Sequence, residues 1–159
     1  MLNLAMIFPI MIGKTALDFE ATQATAHNPL DQPQLREQIE SYLEEYTQRA
    51  GLDTVEITGS ELKTVNKGQQ ILRNRQPNSV LTGCVVINMP SDCDLEFWDP
   101  NNGLRMLEQP PRQRRLKAQA KNQDLIIWPS WLEHEIHENT SEDTVQIIVW
   151  TTKYKSDSQ

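Results

Sequence analysis

Two runs late in the chain, Cys84–Asn88 (CVVIN) and Gln146–Trp150 (QIIVW), are apolar on successive residues rather than on alternate ones. A strand turns successive side chains to opposite faces, so runs of this kind need both faces covered. Around them, from Asp53 onward, short strands alternate with turn residues. The candidates are Val55–Thr58, Glu61–Val65, Val80–Asn88, Asp94–Trp98, Asp124–Ile127, Glu133–His137 and Val145–Lys153, separated by NKG, QPNS, PSD, DPNNG and WPS. Ahead of them, Leu35, Ile39, Tyr42, Leu43 and Tyr46 recur at three- and four-residue spacings, the apolar stripe of one helix. Asp31 and Pro33 mark its start and Gly51 its end. Many strands and one helix predict a mainly β chain, a two-sheet roll with the helix laid on one face.

The first residues, MLNLAMIFPIMIGK, are apolar but lack a basic leader and are interrupted by a proline. They are too short to span a bilayer and poor as a signal peptide, and read as an edge strand packed on the domain. The 159 residues suit one domain. Its expected organisation is a strand, connector and helix over 1–52 and a β core over 53–155. Cys84 reads as a small buried hydrophobe and Cys93 as a turn residue, so no disulfide is indicated and a reducing, cytoplasmic setting is favoured.

Fifteen basic and twenty-two acidic residues leave a net charge of −7. That balance argues against general nucleic-acid or anionic-membrane binding, which needs clustered cations. The local exception is Pro110–Lys117 (PPRQRRLK), with four cations in eight residues. It reads as a solvated loop, with a patch for an anionic ligand or partner as the rival.

His134 and His137 lie three apart in a strand-like stretch, so they point to opposite faces and do not share a metal. HEIH is not the helical H-E-x-x-H of zinc proteases. Glu133, Glu135 and Glu138 keep an edge strand soluble, or else raise the basicity of an imidazole. Asp99, before Pro100, reads as a turn initiator, and Trp98, Trp128, Trp131 and Trp150 as core or rim.

Several phrases together resemble the 2-oxoglutarate/Fe(II)-dependent oxygenase family found in marine bacteria and phages. They are IFPIM at Ile7–Met11, TVNKGQQILRNRQPNSVLTGCVVINMP, DLEFWDPNN, and the most specific, WPSWLEHEIHENTSEDTVQIIVWT. The similarity runs along nearly the whole chain and implies a double-stranded β-helix, a jelly roll of the cupin type. It also implies an iron held by two histidines and a carboxylate, with an arginine pairing the 2-oxoglutarate carboxylate. Carried over by position, the late histidine is His134, the paired early ligands fall on Asn74 and Gln76, the arginine falls on Val145, and the Arg after Asp-Pro falls on Asn101. Between Lys63 and Asn88 there is no His, Asp or Glu. Amides bind Fe(II) far more weakly than imidazole or carboxylate, and valine offers no charge to an anion.

The expectation is therefore a non-catalytic protein of oxygenase fold with no cofactor, acting in binding or assembly, for instance as a virion or tail-associated component of a phage. Protein partners or self-association would then use the polar connectors at 21–34 and 101–122. The alternatives are a divergent dioxygenase using Fe(II) and 2-oxoglutarate, its site completed by His137, Asp99 or another subunit, and a small-anion binder with Arg73, Arg75 and His134 at the cavity entrance.

Overall fold

The computed structural model describes residues 3–7, 10–19, 30, 32–101 and 115–156. Asp31, Pro110–Arg114 and most of both polar connectors lie outside them. The described elements, in chain order, are β1 (Asn3–Ile7), β2 (Ile10–Ala16), α1 (Pro33–Ala50), β3 (Val55–Val65), β4 (Ile71–Asn74), β5 (Leu81–Asn88), β6 (Leu95–Trp98), β7 (Arg115–Lys117), β8 (Asp124–Pro129), β9 (His134–Ile136) and β10 (Val145–Tyr154).

All pairings are antiparallel. A six-stranded sheet runs β1-β2-β8-β5-β10-β3, and a four-stranded sheet runs β4-β9-β6-β7. From β3 onward the chain passes repeatedly between the two sheets, which is the double-stranded β-helix expected from the resemblance.

Parity along the strands assigns the core. In β5, Cys84 and Val86 face the small sheet, while Val85 and Ile87 face the helix; in β10, Val145 and Ile147 face the small sheet, and Ile148 and Trp150 the helix. Both doubly apolar runs are thus covered on both faces, one by β-sheet and the other by α1. The helix contributes Leu35, Ile39, Leu43 and Tyr46. Tyr46 also donates its hydroxyl to the Met11 carbonyl at 2.7 Å, and burial pushes its phenol pKa up. Gly51 ends the helix at φ 66°, the left-handed conformation glycine adopts without penalty. Gly83 has a different reason to be small: a Cβ there would overlap the ring of Trp150, its cross-strand partner.

Three expectations need correcting. The N-terminal run is a hairpin of two strands, with β1 at the edge, rather than one edge strand. Val55–Thr58 and Glu61–Val65 are one strand; the pairing with β10 shifts register between Thr151 and Thr152, and this bulge hides the continuity. The stretch around Glu135 is not an edge, because β9 lies between β4 and β6. Two strands, β4 and β7, lie where none was expected. Both cysteines are free and buried, Cys84 in the core between the sheets and Cys93 with its thiol on Asn139 Oδ1 at 3.4 Å.

Candidate functional site

A cavity of about 290 Å³ opens between the sheets. Its polar wall is Lys63, Gln70, Asn74, Gln76 and His134; Trp128, Ile136 and Val149 are among its apolar walls. Strand pairing brings these groups together. Asn74 of β4 lies directly across from His134 of β9, and Lys63 of β3 lies across from Ile147 of β10. Gln76, just beyond β4, is held by its backbone N–H on the Ser130 carbonyl at 3.0 Å.

His134 is 5% exposed and packs edge-on against Trp128, ring centroids 5.0 Å apart. Its Nδ1 lies 3.3 Å from the Leu132 carbonyl oxygen. A carbonyl only accepts, so Nδ1 carries the hydrogen and Nε2 keeps its lone pair. Burial pushes the imidazole pKa down, and the Leu132 contact offsets that in part, so the neutral ring is favoured. Asn74 donates one Nδ2 hydrogen to the Leu72 carbonyl at 2.7 Å, which leaves Oδ1 and the second N–H open to a ligand. The matched phrase WPSWLEH is explained by packing as much as by chemistry. Ser130 is buried and bonds the hydroxyls of Thr82 at 2.7 Å and Ser79 at 2.9 Å, while Leu132 is buried and holds His134.

A facial triad for Fe(II) needs two imidazoles and a carboxylate at one point. The three positions that would supply it here offer one imidazole and two neutral carboxamides. This donor set does not fit the metal. Val145, at the arginine position, is fully buried in the core between the sheets. A cation does reach the cavity, from the paired strand: Val65 lies across from Val145, and Lys63 is two residues along on the same face as Val65. Lys63 Nζ is 2.6 Å from Glu61 Oε2, a pair largely open to water.

Arg73 and Arg75, expected at the entrance, do not line the cavity. Arg73 lies on the outer face of the small sheet, bonded through Nε to Glu133 at 2.8 Å and stacked 4.2 Å from the Trp98 ring centroid. Arg75 is exposed. Lys63 takes their place, and parity was the signal that could have found it: two residues before inward-facing Val65, it must face the same way.

His137 lies on that outer face as well. Its Nε2 is 2.8 Å from Glu96 Oε2 and 3.3 Å from Glu135 Oε1. Glu96 of β6 lies directly across from Glu135 of β9, so a cross-strand pair of carboxylates meets one imidazole, all within 4.8 Å. Such a trio could hold a cation, but Arg115 is already there, its Nη1 3.3 Å from Glu96, 3.4 Å from Glu135 and 2.7 Å from His137 Nε2. Glu135 therefore partners an imidazole rather than guarding an edge. The Arg115–Lys117 end of the basic run is committed too, with Lys117 Nζ 3.8 Å from Glu96. Asp99 is buried and accepts the Asn101 N–H at 2.9 Å, the turn expected of it. Neither His137 nor Asp99 lines the cavity, so neither completes a triad with His134.

A double-stranded β-helix whose sheets close on a histidine-lined cavity is the architecture of 2-oxoglutarate oxygenases. Residues 62–148 match the family described as "Putative 2OG-Fe(II) oxygenase", and the chain belongs to that family. Among solved structures it is similar to the non-heme alpha ketoglutarate dependent carbocyclase SnoK from nogalamycin biosynthesis, with TM-score 0.57 and 15% identity over 89% of this chain and 62% of that one. It is also similar to the epimerase SnoN from the same biosynthesis, with TM-score 0.59 and 11% identity over 97% and 66%. A third is a 2OG-Fe(II) oxygenase family oxidoreductase from Burkholderia pseudomallei, with TM-score 0.56 and 11% identity over 95% and 71%. At such identities the likeness is one of fold, and the chain spans less than two thirds of the length of SnoK and of SnoN. No curated protein matches the chain in sequence. Among the described residues, no helix is long and apolar enough to cross a membrane.

Proposed function

We propose that this chain is a binding protein of the oxygenase family, using the cavity between its sheets for a small ligand and not for iron-dependent oxidation. The observation that carries this reading is the donor set around His134: one neutral imidazole and two carboxamides, Asn74 and Gln76, where iron needs two imidazoles and a carboxylate. The cavity itself persists, with one cation, Lys63, on its wall. A fold without its metal donors but with a walled, partly polar cavity suits recognition better than redox chemistry. Nothing among the described residues favours an assembly role in a virion over ligand binding.

A second reading, a divergent 2-oxoglutarate/Fe(II)-dependent dioxygenase, draws on the family match and on the Glu96, Glu135 and His137 trio. It would place the metal on the outer face, and Arg115 would have to leave. One assay separates the two. The protein is incubated aerobically with Fe(II), ascorbate and 2-oxoglutarate, and succinate is measured. The binding reading expects no succinate above a protein-free control; succinate that disappears in the His134→Ala or the Glu135→Ala variant would establish the dioxygenase and locate its metal.

A further inference from the structure

We propose that the cavity selects a small aliphatic hydroxycarboxylate, its carboxylate held by Lys63 and its hydroxyl donated to His134 Nε2. The inference rests on the reading of the cavity as a binding site without iron, and it names the ligand class.

The sign of the cavity comes first. Among the described residues, Lys63 lines it and no carboxylate does. A wall with one cation and no anion favours a negative ligand group, which needs such a partner to leave water. The Glu61 side chain that now engages Lys63 is 65% exposed, and a pair so open to water is worth little, so Lys63 can turn to a carboxylate at small cost.

The hydrogen-bonding sense of the far wall comes next. With Nδ1–H directed at Leu132, the neutral His134 ring has an acceptor left and nothing to donate. Nε2 has no partner among the described residues. Asn74, directly across from His134, is less exclusive: one Nδ2 hydrogen goes to Leu72, while Oδ1 can accept and the second N–H can donate. The acceptor at His134 Nε2 calls for a donor on the ligand. An ammonium would add a second positive charge to a cavity that already holds Lys63, whereas a hydroxyl adds none. A 2-oxo group has only lone pairs, and opposite His134 Nε2 it would set acceptor against acceptor with no metal between them. Gln70 and Gln76 can donate or accept and do not alter the preference.

Size and wall complete the class. The volume of about 290 Å³ sits at the lower end of small-molecule sites. Leu95, Ile136, Ile147 and Val149 offer the rest of the ligand an aliphatic surface. With one lining cation, one carboxylate is matched and a second would be left without a charge partner.

The test is calorimetric titration of the full chain with 2-hydroxyisocaproate, 2-oxoisocaproate, 4-methylpentanoate and leucine, each with EDTA and again with Fe(II) under anaerobic conditions. In EDTA, 2-hydroxyisocaproate is expected to bind about tenfold or more tightly than the other three, because each of them loses the hydroxyl bond or adds charge. Lys63→Met should weaken all the carboxylates together. His134→Leu should erase the advantage of the hydroxy acid over 4-methylpentanoate while leaving Lys63-dependent binding in place. Preference for the oxo acid in EDTA, equal binding of all four, or no binding would overturn this inference and leave the iron-free reading standing. Tight oxo-acid binding that appears only with Fe(II) would overturn that reading instead.

Discussion

The two faces of β9 carry opposite chemistry. Inward, Ile136 joins the core between the sheets and His134 packs on Trp128 at the cavity, its imidazole buried and neutral. Outward, Glu135 and the flanking Glu133 and His137 join Arg73, Arg115 and the buried carboxylate of Glu96 in a layer of ion pairs, with Trp98 between the two guanidinium groups. One short strand therefore carries ligand-type residues in two unrelated settings. An abundance of His and Glu in a sequence does not locate a site; the parity of the strand does. Around β9 the charged groups gather on the outer face, and among the described residues the cavity has a single cation, Lys63, at its wall.

Truncation on the inward face should have the largest effect. Ile136→Ala removes a side chain 1% exposed between the sheets and is expected to cost about 2–5 kcal/mol in urea unfolding. The outward face should be cheaper even at its most buried point. Glu96→Gln loses the charge-assisted bonds to His137 and Arg115 and is expected to cost about 1–3 kcal/mol, discounted because Arg115 remains half in water. A larger loss than for Ile136→Ala would break the contrast.

The pH response of the inward face sharpens it. His134 is held below the ordinary histidine value by burial, so as pH falls the unfolded chain takes up the proton first. Its contribution is fully present above the unfolded pKa of about 6.5 and is lost as pH drops from there through the lowered folded value. His134→Leu should therefore gain melting temperature relative to wild type between about pH 7 and pH 5, and a difference independent of pH would contradict the neutral assignment. The smallest effect belongs to the rim of the outer layer. Arg73→Ala gives up an exposed pair with Glu133 and a cation–π contact with Trp98, and thermal unfolding should register about 0.5–1 kcal/mol.

Much of the frame was legible in the sequence because it follows from periodicity. The helix stripe, Gly51 as its stop, the doubly covered runs and the opposite orientations of His134 and His137 all depend on spacings of two or of three and four. What escaped depends on pairing. Ile71–Asn74 has no alternation and becomes a strand only against β9. Arg115–Lys117 becomes one only against β6. The outer trio joins Glu96 to Glu135 across two strands that nothing local links. Lys63 was readable by parity from Val65, but only once the inter-sheet face was known. Arg73 and Arg75 drew attention as charges close to Asn74, yet in β4 the residue beside an inward one faces out.

The most direct test of the central claim is cobalt(II) titration, with the metal standing in for iron(II), of wild type and of an Asn74→His, Gln76→Asp variant followed by visible absorption. Wild type is expected to show no stoichiometric site, and the variant, which restores two donors beside His134, to gain one. A one-to-one cobalt spectrum in wild type that vanishes in His134→Ala would contradict it.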